Sequence, residues 1–217
     1  MDDPHRRRTV IASVIGGAAT LALLIAIGVF GLLRGNVPAP ATSTSTSAAI
    51  DVPKADRIDV PHPLATALNP ESFARRVAAA LFDWDTRGSA GPSEWALVLI
   101  DIGDPDEAAG LAADIRGYLP SAEQWRQLET YGTQQWLSIE SVRVPETWAI
   151  AVAQAAPGQL PPGAIAYTVS GVRHRVGVWG DQTTSTSAEV AFTVFLACPH
   201  DESCRLLRIS LLNKPLE

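Results

Sequence analysis

Few side chains in this sequence carry types and spacings that suit chemistry, and they are quickly weighed. Cys198 and Cys204 are the two cysteines, with five residues between them in C-P-H-D-E-S-C. They could close a disulfide across a hairpin loop, worth about 2–3 kcal/mol by the chain-entropy argument. With His200, and Asp201 in reserve, they could instead bind a metal, although structural zinc sites use four ligands at other spacings. The disulfide is the reading adopted. Asp83, Asp85 and Asp101 adjoin apolar segments, where a carboxylate could serve a pocket as a general base or simply cap a helix. His174 falls on an otherwise aliphatic strand face with Val172, Val176 and Val178, which suits a satisfied core histidine better than a base. His62 has no ligand partner nearby in the sequence. No glycine-rich phosphate loop, nucleophile elbow or metalloprotease helix motif is present. The expectation is therefore a non-catalytic chain with no cofactor and no metal site.

The elements that must position these residues begin after a membrane anchor. Residues 9–33, TVIASVIGGAATLALLIAIGVFGLL, carry no charge. About 20 apolar residues suffice to cross a bilayer core of ~30 Å as a helix. Arg6, Arg7 and Arg8 precede the run and Arg34 follows it, so the positive-inside rule puts residues 1–8 in the cytoplasm and everything after residue 33 outside it. A cleaved signal peptide is the rival, with Pro38-Ala39-Pro40-Ala41 imitating a cleavage site, but signal-peptide apolar cores run only ~7–15 residues. Ser13, Gly16, Gly17 and Thr20 are small enough to let two such helices approach. Residues 34–68 contain VPAPATSTSTSAA and DVPKADRIDVPHPL, rich in proline, serine and threonine. This composition reads as a flexible linker, whose second part could lie along the domain as an arm.

The remainder, residues 69–217, reads as one extracytoplasmic α+β domain. The net charge is -6. The first 34 residues hold four arginines and two aspartates, +2, which leaves -8 for the rest. An acidic domain of this kind is not expected to bind nucleic acid, and the run Arg173-His174-Arg175 reads as a solvated edge. Asn69, Pro70 and Glu71 are an N-cap, a first-turn proline and a dipole-matched acid. Phe73, Val77, Leu81 and Trp84 then mark one helical stripe. Pro92-Ser93 favours a helix start before WALVLIDI. Asp104-Pro105 opens another helix, ending near Gly117 to Pro120, and Ser121 with Gln124 forms a capping box. From Gln134 the period turns to two. Trp148 to Ala153 is ambiguous. Ala164 to Trp179 is a long strand in which Gly171 and Gly177 permit a bend or bulge. Gly180 to Ser187 reads as a polar connection. Glu189 to Cys198 and Cys204 to Leu212 read as a closing pair of strands.

Several stretches carry a resemblance: FARRVAAALFDWDT (73–86), VSGVRHRVGVW (169–179), AFTVFLAC (191–198) and CRLLRISLLNKPL (204–216). Together with the order of anchor, tether, helices and strands, they resemble the bitopic assembly factors of type IV secretion. Within that group the likeness is to the TcpC-like conjugal-transfer proteins of actinobacteria. The resemblance implies a nuclear-transport-factor-like cone, three to four helices packed on a curved antiparallel sheet. It implies a structural component of a conjugation channel that associates with itself and with other channel proteins. TcpC-like proteins usually carry two such domains, whereas this chain has room for one. The alternative is an extracytoplasmic small-ligand-binding or enzymatic domain on the same fold. A pocket with a buried, shifted carboxylate would favour that alternative, and an interior filled by the chain's own tryptophans would oppose it.

Overall fold

The computed structural model describes residues 58–217. The expected cytoplasmic tail, the apolar run 9–33 and the linker as far as residue 57 lie outside the described residues. Among the described residues no helix is long and apolar enough to cross a membrane.

The domain is α+β. Helix α1 (Pro70–Phe82) is followed by the short strand β1 (Trp84–Asp85), α2 (Pro92–Ile100), a 3-10 turn (Pro105–Glu107), α3 (Ala108–Arg116) and α4 (Ala122–Thr130). Then come β2 (Gln134–Arg143), α5 (Thr147–Gln154), β3 (Ala164–Trp179), β4 (Gln182–Ala197) and β5 (Arg205–Ile209). The five strands form one antiparallel sheet in the order β1-β2-β3-β4-β5, curled into a half-barrel.

The helix boundaries follow the capping chemistry. The Asn69 side chain accepts from the Ser72 N–H at 2.8 Å and opens α1. Ser121 and Gln124 exchange two such bonds at the start of α4. WALVLI lies in α2 and the ambiguous Trp148–Ala153 run lies in α5. The α1 stripe buries Phe73, Val77 and Leu81 completely, each worth roughly 1.5–3 kcal/mol over leaving it exposed. These side chains meet Leu99, Leu111 and Ile115 from α2 and α3, and Val169, Phe192, Val194, Leu196 and Leu206 from the sheet. Trp84 belongs to a second cluster, with Ala90, Trp95 and Trp125. It sits in β1 because α1 stops at Asp83, whose backbone takes an extended conformation.

The sheet bends where β2 and β3 slip register between Ile139 and Ser141, opposite Gly171. A side chain at Gly171 would place its Cβ 2.3 Å from the Ser138 carbonyl oxygen. Only glycine lets the strands approach this closely at the bulge.

The expected polar connection at 180–187 is instead strand. β3 and β4 pair over their whole length, from Ala164↔Ala197 to Trp179↔Gln182. Gly180 and Asp181 alone make the turn. Gly180 takes φ 60° at the first loop position, which two-residue II′ hairpins reserve for glycine. The alternating Thr and Ser residues behind it are polar yet include β-branched residues, so polarity misled while β-propensity held. β5 pairs only with Val194–Ala197, so among the described residues no strand pairs with the 182–190 half of β4 on the edge away from β3.

Residues 58–68, expected within the linker, lie along the domain as a strap. The Ile58 N–H reaches Asp85 Oδ2 at 3.3 Å, Ser89 and Ala90 donate to the Asp59 carbonyl, and Arg76 Nη1 donates to the Ala65 carbonyl at 3.0 Å. The Cys204 N–H closes the far end on the Ala67 carbonyl at 2.9 Å.

Candidate functional site

Cys198 and Cys204 sit one residue beyond the paired ends of β4 and β5 and are joined by a disulfide. Both sulfurs are committed to that bond. His200 is almost fully exposed and pairs only with Asp201, at 3.2 Å.

The three aspartates separate by environment. Asp101 is exposed at the end of α2. Asp85 is fully buried. It receives Arg87 Nη2 at 2.5 Å and the Arg87 N–H at 2.9 Å. Burial pushes its carboxyl up, but the Arg87 side chain and the Arg87 and Ile58 N–H groups more than offset that, so it lies below the usual carboxylate range. Asp83 is the reverse case. It accepts one bond, from the Leu137 N–H at 3.2 Å, and burial raises it to about 6. It lines a cleft of about 260 Å³ beneath the strap, with Pro61, His62, Leu64, Arg76 and Trp95. His62, which has no partner near it in the sequence, is brought to the carboxylate's cleft by the strap.

His174 is not in the core. The alternation of β3 turns Val169 toward the helices, where it is buried opposite Phe192. His174 therefore falls on the opposite face, half-buried. Its ring stacks on Trp136 with centroids 5.2 Å apart. Nδ1 pairs with Ser187 Oγ and Nε2 with Ser138 Oγ, each at 3.0 Å. The histidine is satisfied, as expected, but by two serines on the outer face rather than within the core.

By the same alternation Arg173 and Arg175 share the helix-facing side, which corrects the solvated-edge reading. Arg175 lies 5.2 Å from the centre of the Trp84 ring and donates through Nη2 to Gln135 Oε1 at 2.7 Å. Its Nε is buried with no hydrogen-bond partner. Burial, with Arg173's charge adding, pulls its guanidinium below the ordinary arginine range. Arg175 borders two adjoining clefts. One, of about 380 Å³, is lined by Tyr131, Thr133, Trp179, Thr184 and Thr186. The other, of about 350 Å³, adds Tyr118, Gln124 and Gln127.

Family models, curated proteins and solved structures yield no match to the chain. The site must be weighed on its own residues.

A different surface is conspicuous for what it leaves uncovered. Helix α5, TWAIAVAQ, buries none of its residues. Trp148 leans on Phe195 of the outer sheet face at 6.1 Å between ring centres, while Ile150 and Val152 are 56% and 46% exposed. Val144, just before the helix, is 46% exposed. The six-residue apolar run Trp148–Ala153 is ambiguous in the sequence, and only the packing tells which side of the sheet it occupies.

Proposed function

We propose that the chain is a non-catalytic, membrane-anchored assembly component of a conjugative type IV secretion apparatus. Its extracytoplasmic domain works through protein–protein contacts, including contact with its own copies. The curled sheet with its helices is read as a nuclear-transport-factor-like cone. The observation that carries the proposal is α5, an apolar helix on the outer sheet face with no buried residue. Exposed contiguous apolar surface in a folded domain marks an interaction site. The occupant proposed for it is α5 of a second copy, because an exported domain held by an anchor meets its own copies at high local concentration. The open polar edge of β4 offers channel proteins a second contact of the strand-addition kind.

Single cysteines introduced at the exposed Ala153 test this in membranes. Disulfide-linked dimers must form in intact cells, and I150E must abolish both the dimer and DNA transfer while leaving the domain folded. Monomer alone, with unimpaired transfer in I150E, refutes the assembly role. Protease added to intact cells must reach the domain; if only permeabilised cells lose it, the topology is reversed.

The other reading, a ligand-binding or enzymatic domain, has the Asp83 cleft in its favour, since it pairs a carboxyl raised to about 6 with apolar walls. Against its enzymatic form, Trp84, Trp95 and Trp125 pack with one another and occupy the space between helices and sheet that a deep pocket would need.

A further inference from the structure

We propose that the clefts meeting at Arg175 form a binding site for a monoanionic organic carboxylate with an apolar or aromatic body. This does not depend on the assembly reading, and concerns the opposite face of the sheet from α5.

The argument begins with a charge that lacks a counter-charge. Arg175 is half-buried, and among the described residues no carboxylate pairs with it, although the chain as a whole carries a net charge of -6. The other arginines that β5 and the β1 corner place near acids are paired: Arg87 with Asp85, Arg205 with Asp104, and Arg208 with Asp114. Neither cleft bordering Arg175 has an aspartate or glutamate in its lining. A desolvated cation without a partner costs stability. The Trp84 ring offsets part of that cost, and Gln135 accepts one N–H, but Nη1 has no partner among the described residues. A carboxylate placed there would supply the missing charge and take the free guanidinium edge.

The rest of the lining defines the body of the ligand. Tyr131 and Trp179 stack at 5.0 Å between ring centres and present one continuous aromatic wall. Trp179 is 67% exposed, an unusual placement for a tryptophan, with its ring stacked on Tyr131. The threonines Thr133, Thr184 and Thr186 add hydroxyls at the cleft's polar side. A cleft of about 380 Å³ is within the range of small-molecule sites. A phosphate dianion is disfavoured. It calls for two or more cationic groups, and Arg173, the nearest other cation on this face, does not line either cleft.

The experiment uses the full chain in a mild detergent, with phenylacetate as probe, and phenylacetamide and inorganic phosphate as controls. Calorimetry and thermal melting are the readouts. Phenylacetate is expected to bind at or below the millimolar range and raise Tm, with the amide weaker by about tenfold or more. R175M, which keeps the side chain's length without its charge, is expected to erase the preference for acid over amide. W179A, which removes one side of the aromatic wall, is expected to weaken both, each shift being read against the variant's own unliganded melt. Equal binding of acid and amide overturns the proposal, as do no binding of either at ~10 mM, phosphate binding tighter than phenylacetate, or a preference that survives in R175M. R175K serves if R175M does not fold: a retained but weaker acid preference supports the site, and an unchanged one refutes it.

Discussion

Replacing Asp83 with asparagine isolates the cost of one buried charge. The carboxyl stands at about 6 in the folded domain against 3.8 when unperturbed. The folded value is the higher one. Well below 3.8 the group is protonated in both states and costs nothing. As pH rises from 3.8 towards about 6 the unfolded chain ionises and the folded domain does not, so stability is lost across that window; above it both states are ionised and the loss levels off. At about 1.4 kcal/mol per pH unit of difference, the full penalty at neutral pH is about 3 kcal/mol. Asparagine keeps an oxygen for the Leu137 N–H and carries no charge. The stability of D83N relative to the parent, from urea unfolding of the full chain in detergent, should therefore grow by about 2 kcal/mol between pH 4.5 and pH 7.5. Any cost of burying the new amide N–H₂ is constant with pH and shifts the whole curve without changing that slope. A difference that stays flat across this window, or falls, refutes the reasoning, because burial of Asp83, outweighing the Leu137 hydrogen bond, is what raises its carboxyl.

Removing the partner of Asp85 acts in the other direction: R87M strands a fully buried carboxylate and should cost about 3–5 kcal/mol in urea unfolding, with most of the loss recovered in the double variant R87M/D85N. G171A drives a Cβ into the Ser138 carbonyl; it should lower stability by about 2–4 kcal/mol and weaken amide-exchange protection across β2 and β3. C198S/C204S opens the closing loop of the β4–β5 pair and should cost about 2–3 kcal/mol, with reductant lowering the parent's Tm to that of the double variant and leaving the variant unmoved.

The helices were the most legible elements, because their ends carry chemistry in the sequence itself: Asn69, Pro105 and the Ser121–Gln124 box each sit where a helix or 3-10 turn begins. The disulfide was legible too, since two cysteines flanking five loop residues leave little choice of partner. What the residues did not disclose is which side of β3 faces the helices. Period-two alternation separates Val172, His174 and Val176 from Arg173 and Arg175 but does not say which set goes inside, and hydrophobicity points the wrong way. The helix-facing side is decided further along the strand, by Val169 and Phe192, and the arginines follow because a strand cannot change parity without a bulge. Arg175 then finds a tryptophan ring and a glutamine in place of an acid, which no local pattern announces. The serine- and threonine-rich start of β4 was hidden for a related reason: an edge strand on a projecting hairpin needs no apolar face, so its composition matches that of a loop.

The strap along residues 58–68 has a mechanical consequence. Tension arriving from upstream of Ile58 falls first on the Ile58–Asp85 and Asp59 hydrogen bonds, then on the Arg76 grip at Ala65, and last on the Ala67–Cys204 bond beside the disulfide. These fasteners lie one after another, so a pull should peel the strap in steps and let out slack before any load reaches the sheet.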